Sequence, residues 1–156
     1  MNMKRRVFLK GTLASSAVAV AVGAGLLSPR QVLAAWPKAA FEAKSVNDAM
    51  NSMFNSDLAP ASDAIKVEAP DIAENGAVVP VTIETSLKNV ESISIIAEKN
   101  QTPLVASFNM TPKTEGYIST RIKMGQTSNV IAVVKADGKL YSARKEVKVT
   151  IGGCGG

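Results

Sequence analysis

The sequence predicts a mainly β protein, an immunoglobulin-like antiparallel β-sandwich of about seven strands with an N-terminal helix and a flexible C-terminal arm. Two observations predict the sandwich. Apolar and polar residues alternate with period two in several short segments between residues 65 and 151, and turn signals separate these segments at short, regular spacing. The arm is predicted from the terminal "GGCGG", because glycines leave many backbone conformations open.

The helix is predicted over residues 36–54, "WPKAAFEAKSVNDAMNSMF". Pro37 suits a first helical turn. Several apolar side chains then recur at helical spacing, namely Val46, Ala49, Met50 and Met53, joined by Phe54. Because the chain has no histidine, we expect the two methionines to face the core and not to form a metal site.

The strands are predicted from their alternation and their turns. Candidate strands are "IKVEA" from Ile65, residues 79–84, 93–97, 104–110 and 118–124, "NVIAVVKA" (129–136) and "KLYSARKEVKVTI" (139–151). Ile96 interrupts the alternation of its strand. "NVIAVVKA" is apolar on both faces, which is typical of a central strand. Asp137-Gly138 between the last two strands favours a two-residue hairpin turn with positive φ. "ENGA" at residues 74–77 predicts another turn.

The first 34 residues have the composition of an export signal. A basic start is followed by an uncharged stretch at residues 11–27 and by the small-residue end "VLAAW", with cleavage expected after Ala34 or Ala35. "RRVFLK" resembles the twin-arginine signal through Arg5 and Arg6. An ordinary secretory signal with a chance arginine pair is the alternative. Either signal predicts a periplasmic protein, and the twin-arginine route implies export of a folded chain.

The composition excludes several functional classes. The leader holds five basic and no acidic residues, and without it 13 basic residues balance 13 acidic ones, so the net charge of +5 implies no nucleic-acid surface. With one cysteine and no histidine, the chain offers neither a His/Cys zinc site nor an imidazole-based triad. We therefore expect no metal and no bound cofactor. The single thiol also excludes an internal disulfide.

The C-terminal arm places this thiol, Cys154, between Gly152-Gly153 and Gly155-Gly156. Three extended residues would carry its Cα about 10 Å beyond Ile151, so the thiol could enter a narrow pocket of another protein. Thiols form sulfur–sulfur bonds that can be exchanged or oxidised. A disulfide-linked homodimer through Cys154 is an alternative. The predicted organisation is an export signal (1–34), a domain with its helix (35–151) and the carrier arm (152–156).

Three segments give the chain a resemblance to a known family. The terminal "GGCGG", "PDIAENGAVVPV" at residues 70–81 and "TRIKMGQTSNVIAVV" at residues 120–134 resemble the SoxY family, the sulfur-carrier subunits of the periplasmic thiosulfate-oxidising Sox system. The twin-arginine leader agrees with it. Many members carry a further residue after the last glycine, whereas this sequence ends at Gly156.

The resemblance implies a carrier and not an enzyme, with sulfur intermediates bound covalently to Cys154 as a thiosulfonate or a persulfide. It implies a heterodimer with SoxZ, oxidative loading by the cytochrome SoxXA, hydrolysis by the manganese enzyme SoxB and, where present, oxidation by SoxCD. All metal and redox chemistry would then belong to the partners. A different functional class is an exported interaction module whose tail cysteine forms a disulfide tether.

Overall fold

The computed structural model of the protein describes residues 37–150. This part of the chain contains two short helices and eight strands. They are α1 (Lys38–Glu42), α2 (Val46–Phe54), β1 (Ile65–Glu68), β2 (Ile72–Ala73), β3 (Val79–Thr85), β4 (Val90–Ala97), β5 (Leu104–Asn109), β6 (Tyr117–Ile122), β7 (Ser128–Ala136) and β8 (Lys139–Val149).

The strands form two sheets, which confirms the predicted immunoglobulin-like sandwich. One sheet has the order β1-β3-β6 and the other the order β2-β8-β7-β4-β5. All neighbouring strands are antiparallel except β2, which pairs in parallel with the end of β8. The five-stranded sheet thus carries the C-terminal end of the folded chain.

The main core lies between the two sheets and follows the predicted alternation. Val79, Val81 and Ile83 of β3 are at most 1% exposed, while the intervening residues face outward. They pack in one cluster with the inward residues of β4 and β7. Full burial of such side chains stabilises each by about 1.5–3 kcal/mol, so the period-two pattern reflects the main energetic term of this fold.

A second apolar cluster lies between the helices and the outer face of the five-stranded sheet. Met50 is buried in it and Met53 packs against it, as the helical spacing predicts. Ile96 belongs to this cluster, whereas its neighbours Ile95 and Ala97 belong to the main core. The side chains of β4 therefore still alternate between its two faces, and Ile96 is apolar because the helices cover the outward face at this position.

Strand β7 lies in the middle of its sheet, as its two apolar faces predict. Val134 faces the main core and Val133 the second cluster. The following turn has Asp137 at φ 50° and Gly138 at φ 72°, which confirms the predicted hairpin. The turn is braced by Glu91, which accepts a hydrogen bond from the Gly138 N–H at 2.7 Å. Bonds from Lys135 and Gly138 hold the pKa of the Glu91 carboxyl below its ordinary value.

Some predicted elements differ from those of the structure, as with the strand predicted over residues 118–124, which is Tyr117–Ile122. The helical segment is two helices, because the chain is extended at Ser45, whose side chain caps α2 by accepting a bond from the Asp48 N–H. Strand β2 was not predicted, since two residues are too short to show an alternation. The last strand ends at Val149, two residues before the predicted end at Ile151.

Candidate functional site

The predicted reactive group, Cys154, lies outside the described residues. So do the other residues of the arm, Gly152, Gly153, Gly155 and Gly156, and the two arginines of the leader, Arg5 and Arg6. The described chain ends at Thr150, four residues before the cysteine. The structure therefore describes the residues that directly precede the predicted arm, and these residues, called the arm base, are the candidate site.

The end of β8 is held between two strands. On one side Ser128 of β7 lies opposite Val147, and on the other Ala73 of β2 lies opposite Val149. Val147 is fully buried in the main core. The strand thus stays anchored in the sheet until the last residues before the arm.

Thr127, the residue before β7, adds a side-chain contact to this anchor. Its Oγ1 accepts a hydrogen bond from the Val149 N–H at 2.9 Å and lies 3.4 Å from the Val149 carbonyl oxygen, to which it donates. One hydroxyl therefore satisfies both backbone groups of Val149. Because these groups have no β7 backbone partner, they would otherwise be left to solvent.

Thr150 is held from the opposite side by the last residue of β2 and by the residue that follows it. Its N–H donates to the Ala73 carbonyl at 3.2 Å, and its hydroxyl donates to the Glu74 carbonyl at 3.3 Å. The neighbouring Lys148 N–H donates to the Asp71 carbonyl at 3.0 Å. The last described residue therefore has both its N–H and its side chain engaged.

Gly76, in the loop that follows β2, is packed tightly against Val149. The loop turns at Asn75, whose side-chain oxygen accepts a bond from the Ala77 N–H at 2.9 Å. A Cβ on Gly76 would lie 2.4 Å from the Met124 carbonyl oxygen and 2.7 Å from a methyl group of Val149. The Gly76 carbonyl also accepts the Met124 N–H at 2.7 Å. Only a residue without a side chain fits between these groups.

The arm base is built from two segments that carried the family resemblance. Residues 70–81 contribute the turn with Gly76, and residues 120–134 contribute Met124 and Thr127. The sequence indicated a turn at "ENGA" but not its contact with Val149. No sequence signal identified Thr127 as a partner of Val149, because that contact joins residues 22 positions apart.

The described residues were compared with two kinds of functional feature, a metal-binding cluster and a membrane-spanning helix. Residues 37–150 contain no group of three or more histidine, cysteine, aspartate or glutamate side chains that could hold a metal ion. No helix in the same range is long and apolar enough to cross a membrane. Cys154 is the only thiol of the chain, so thiol chemistry at this site depends on it alone.

Comparisons with known proteins match most of this chain to one protein family. A family model described as "Sulfur oxidation protein SoxY" matches residues 50–154. The solved structure of the sulfur carrier protein SoxY from Chlorobium limicola f thiosulfatophilum is 47% identical, with a TM-score of 0.61, and the match covers 69% of this chain and 97% of that one.

A more distant likeness concerns the fold alone. A superoxide reductase (neelaredoxin) from Ignicoccus hospitalis is 19% identical over 56% of this chain and 80% of its own, with a TM-score of 0.50. A comparison with curated proteins gives no significant match.

Proposed function

Because the chain belongs to the SoxY family of sulfur oxidation proteins, we propose that it is the covalent sulfur carrier of thiosulfate oxidation and that Cys154 is the attachment site. The observation that carries the proposal is the extent of the family match, which runs through the folded domain and ends on the only cysteine of the chain. The protein acts as a substrate of its partner enzymes and not as an enzyme itself.

The arm base supports a carrier with a fixed pivot. Hydrogen bonds hold Val149 to Thr127 and Thr150 to Glu74, so the chain is fixed to the sandwich up to Thr150. Four residues of extended chain place the Cys154 Cα at most about 13–14 Å from the Thr150 Cα. That reach suits a thiol that is presented to successive active sites while the sandwich stays outside them.

The arm binds its enzymes weakly. Immobilising a backbone residue costs about 1–2 kcal/mol, so fixing five arm residues costs about 5–10 kcal/mol. A micromolar complex is stabilised by only about 8 kcal/mol in total. Docking of the arm is therefore reversible, as a carrier that visits several enzymes requires.

The proposed cycle begins with oxidative coupling. The thiol and thiosulfate form Cys154–S–S–SO3⁻, releasing one proton and two electrons, and the cytochrome SoxXA accepts these electrons. Water then hydrolyses the terminal sulfonate at SoxB, which yields sulfate, two protons and the persulfide anion Cys154–S–S⁻. Where SoxCD is present, it oxidises the persulfide sulfur. The protein pairs with SoxZ and works in the periplasm after twin-arginine export.

The test of the proposal is Cys154→Ser in the presence of thiosulfate and the partner enzymes. Wild-type protein should gain the mass of a thiosulfate-derived adduct, and the serine variant should gain none, because serine cannot form a sulfur–sulfur bond. Since position 154 lies beyond the last strand, the free energy of unfolding should change by less than about 0.5 kcal/mol. Adduct formation in the serine variant would refute the assignment.

The second candidate, a disulfide tether, is separated by the same measurement. The lone cysteine in a glycine tail is the observation that favours it. A tether gives a stable intermolecular cross-link on Cys154 in native protein, and thiosulfate turnover leaves its mass unchanged. A carrier gives adducts that appear and disappear with turnover.

A further inference from the structure

A cleft lies at the same end of the sandwich as the arm base, with Leu104 and Val105 of β5 in its lining beside polar and charged loop residues. It has a volume of about 470 Å³ and lies between the loop that follows β4 and the loop that precedes β7. Lys99, Asn100 and Thr102 line it from the first loop, and Lys123, Gly125 and Gln126 from the second. None of these residues takes part in the arm base.

Side-chain hydrogen bonds hold the two loops together. The Asn100 side chain donates to the Lys123 carbonyl at 2.7 Å and accepts from the Gly125 N–H at 3.0 Å. The Gln126 side chain donates to the Lys99 carbonyl at 3.1 Å. The cleft is therefore preformed, so a ligand need not order the loops when it binds.

The charge of the cleft is positive and uncompensated. Neither Lys99 nor Lys123 forms an ion pair within residues 37–150, and no carboxylate lines the cleft. The adjacent Glu98 carboxylate instead accepts a bond from the Asn129 side chain at 2.8 Å. Two ammonium groups without a carboxylate partner favour an anion.

The sheet order brings this cleft within reach of the arm. Strand β8 is separated from β4 only by β7, and adjacent strands lie about 5 Å apart, so the end of β8 lies about 10 Å from the end of β4. In addition, Gln126 directly precedes Thr127, which contacts Val149. The reach of about 13–14 Å from Thr150 to Cys154 spans this separation.

We propose that the cleft between Lys99 and Lys123 binds the terminal sulfonate of an adduct carried on Cys154 of the same chain. The inference rests on the proposed function and adds a resting site that selects the anionic, thiosulfate-derived state of the carrier over the free thiol. Occupant and cleft are complementary in charge, because the adduct ends in a sulfonate. After the sulfonate leaves as sulfate, this contact is lost and the arm is released.

The experiment loads the arm without partner enzymes. The Cys154 thiolate attacks tetrathionate, so that Cys154–S⁻ and S4O6²⁻ give Cys154–S–S–SO3⁻ and S2O3²⁻. Methyl methanethiosulfonate supplies a neutral control adduct, Cys154–S–S–CH3, with methanesulfinate as leaving group. Intact mass confirms each adduct. Amide chemical shifts are then recorded on the isotope-labelled protein, from which the export signal has been removed as it is in the cell.

The anionic adduct should shift the amides of residues 99–102 and 123–126 at least threefold more than the neutral adduct does. Lys99→Gln together with Lys123→Gln should abolish this difference. Lys139→Gln changes an exposed lysine at the start of β8, at the opposite end of the sandwich, and should preserve it. Before loading, the double variant should show wild-type shifts outside the cleft, which establishes that it is folded.

Equal shifts from both adducts would overturn the proposal, and so would a double variant that behaves like wild type. A further control adds free thiosulfate or sulfate to the Cys154→Ser variant. An anion tethered through the arm has an effective concentration in the millimolar range, so a cleft that serves the arm needs only weak affinity for the free anion. If the free anions bind with a dissociation constant below about 1 mM, the cleft is a site for free oxyanions, and the assignment to the arm is refuted. Since loading is chemical, failure here leaves the carrier function standing, whereas failure of enzymatic loading leaves the cleft result unaffected.

Discussion

At the scale of single residues, the arm base depends on one glycine and one threonine, neither of which carries a reactive group. Gly76 carries no functional group, yet it sets how closely the loop after β2 approaches Met124 and Val149. Thr127 also contacts Val149, and its single hydroxyl forms hydrogen bonds with both the N–H and the carbonyl group of that residue. Neither residue touches the sulfur chemistry. Both determine where the reactive arm begins.

Replacing Gly76 with alanine should destabilise the protein by about 1–3 kcal/mol, because the new Cβ would lie 2.4 Å from a backbone oxygen that cannot rotate away. The measurement is the midpoint of denaturant unfolding. Gly125→Ala is the matched control, since the nearest atom to its new Cβ is 3.9 Å away, and we expect a change within about 0.5 kcal/mol. Equal midpoints for the two variants would contradict the packing seen at Gly76.

At the scale of secondary-structure elements, strands that are long enough to show an apolar–polar pattern could be predicted from the sequence. Strands β3 and β7 and the turn at Asp137-Gly138 were predictable, because burial and positive φ each impose a residue type. Strand β2 and the contacts of Thr127 were not, because they depend on tertiary neighbours. The role of Cys154 stays a prediction from the sequence, because the residue lies outside the described part of the chain. The hydrogen bonds that anchor the arm base could not be predicted from the sequence.

Thr127→Val should loosen the end of β8. Valine keeps the shape but removes the oxygen that pairs with the Val149 N–H, and loss of such a bond costs about 1 kcal/mol. Hydrogen exchange of the Val149 amide should accelerate about fivefold, since it samples local opening. Thr127→Ser keeps the hydroxyl and should exchange like wild type. An unchanged rate in the valine variant would show that this bond does not anchor the strand.

Bulk next to the thiol should block the carrier arm without changing its chemistry. Gly153→Val and Gly155→Val add branched, stiff side chains on either side of Cys154. Both variants should react with a small thiol reagent at close to the wild-type rate and carry far less thiosulfate-derived sulfur after treatment with the partner enzymes. The alanine variants should lie between. Equal enzymatic loading of wild type and valine variants would show that no narrow channel is threaded.

At the scale of the whole molecule, charge and reactivity are divided among separate parts of the chain. The excess positive charge lies in the first 34 residues, and the rest has equal numbers of acidic and basic side chains. The sandwich supplies a buried core and an anchored exit for the arm, while the only thiol lies beyond the last strand. This division allows the thiol to react without any change in the core, provided that the chain is folded before it meets its partners.

The export route tests whether the chain folds before it meets its partner enzymes. Changing Arg5 and Arg6 together to lysine keeps the charge of the leader but removes the arginine pair that the twin-arginine pathway reads. The unprocessed precursor should therefore accumulate in the cytoplasm, as measured by fractionation and by the mass of the leader-bearing chain. A second precursor with Arg30 changed to lysine also keeps the charge, leaves "RRVFLK" intact and should be exported normally. If the double-lysine precursor is processed in the periplasm at the wild-type rate, the leader is an ordinary secretory signal. The chain would then cross the membrane unfolded, and export in a preformed complex with SoxZ would be excluded.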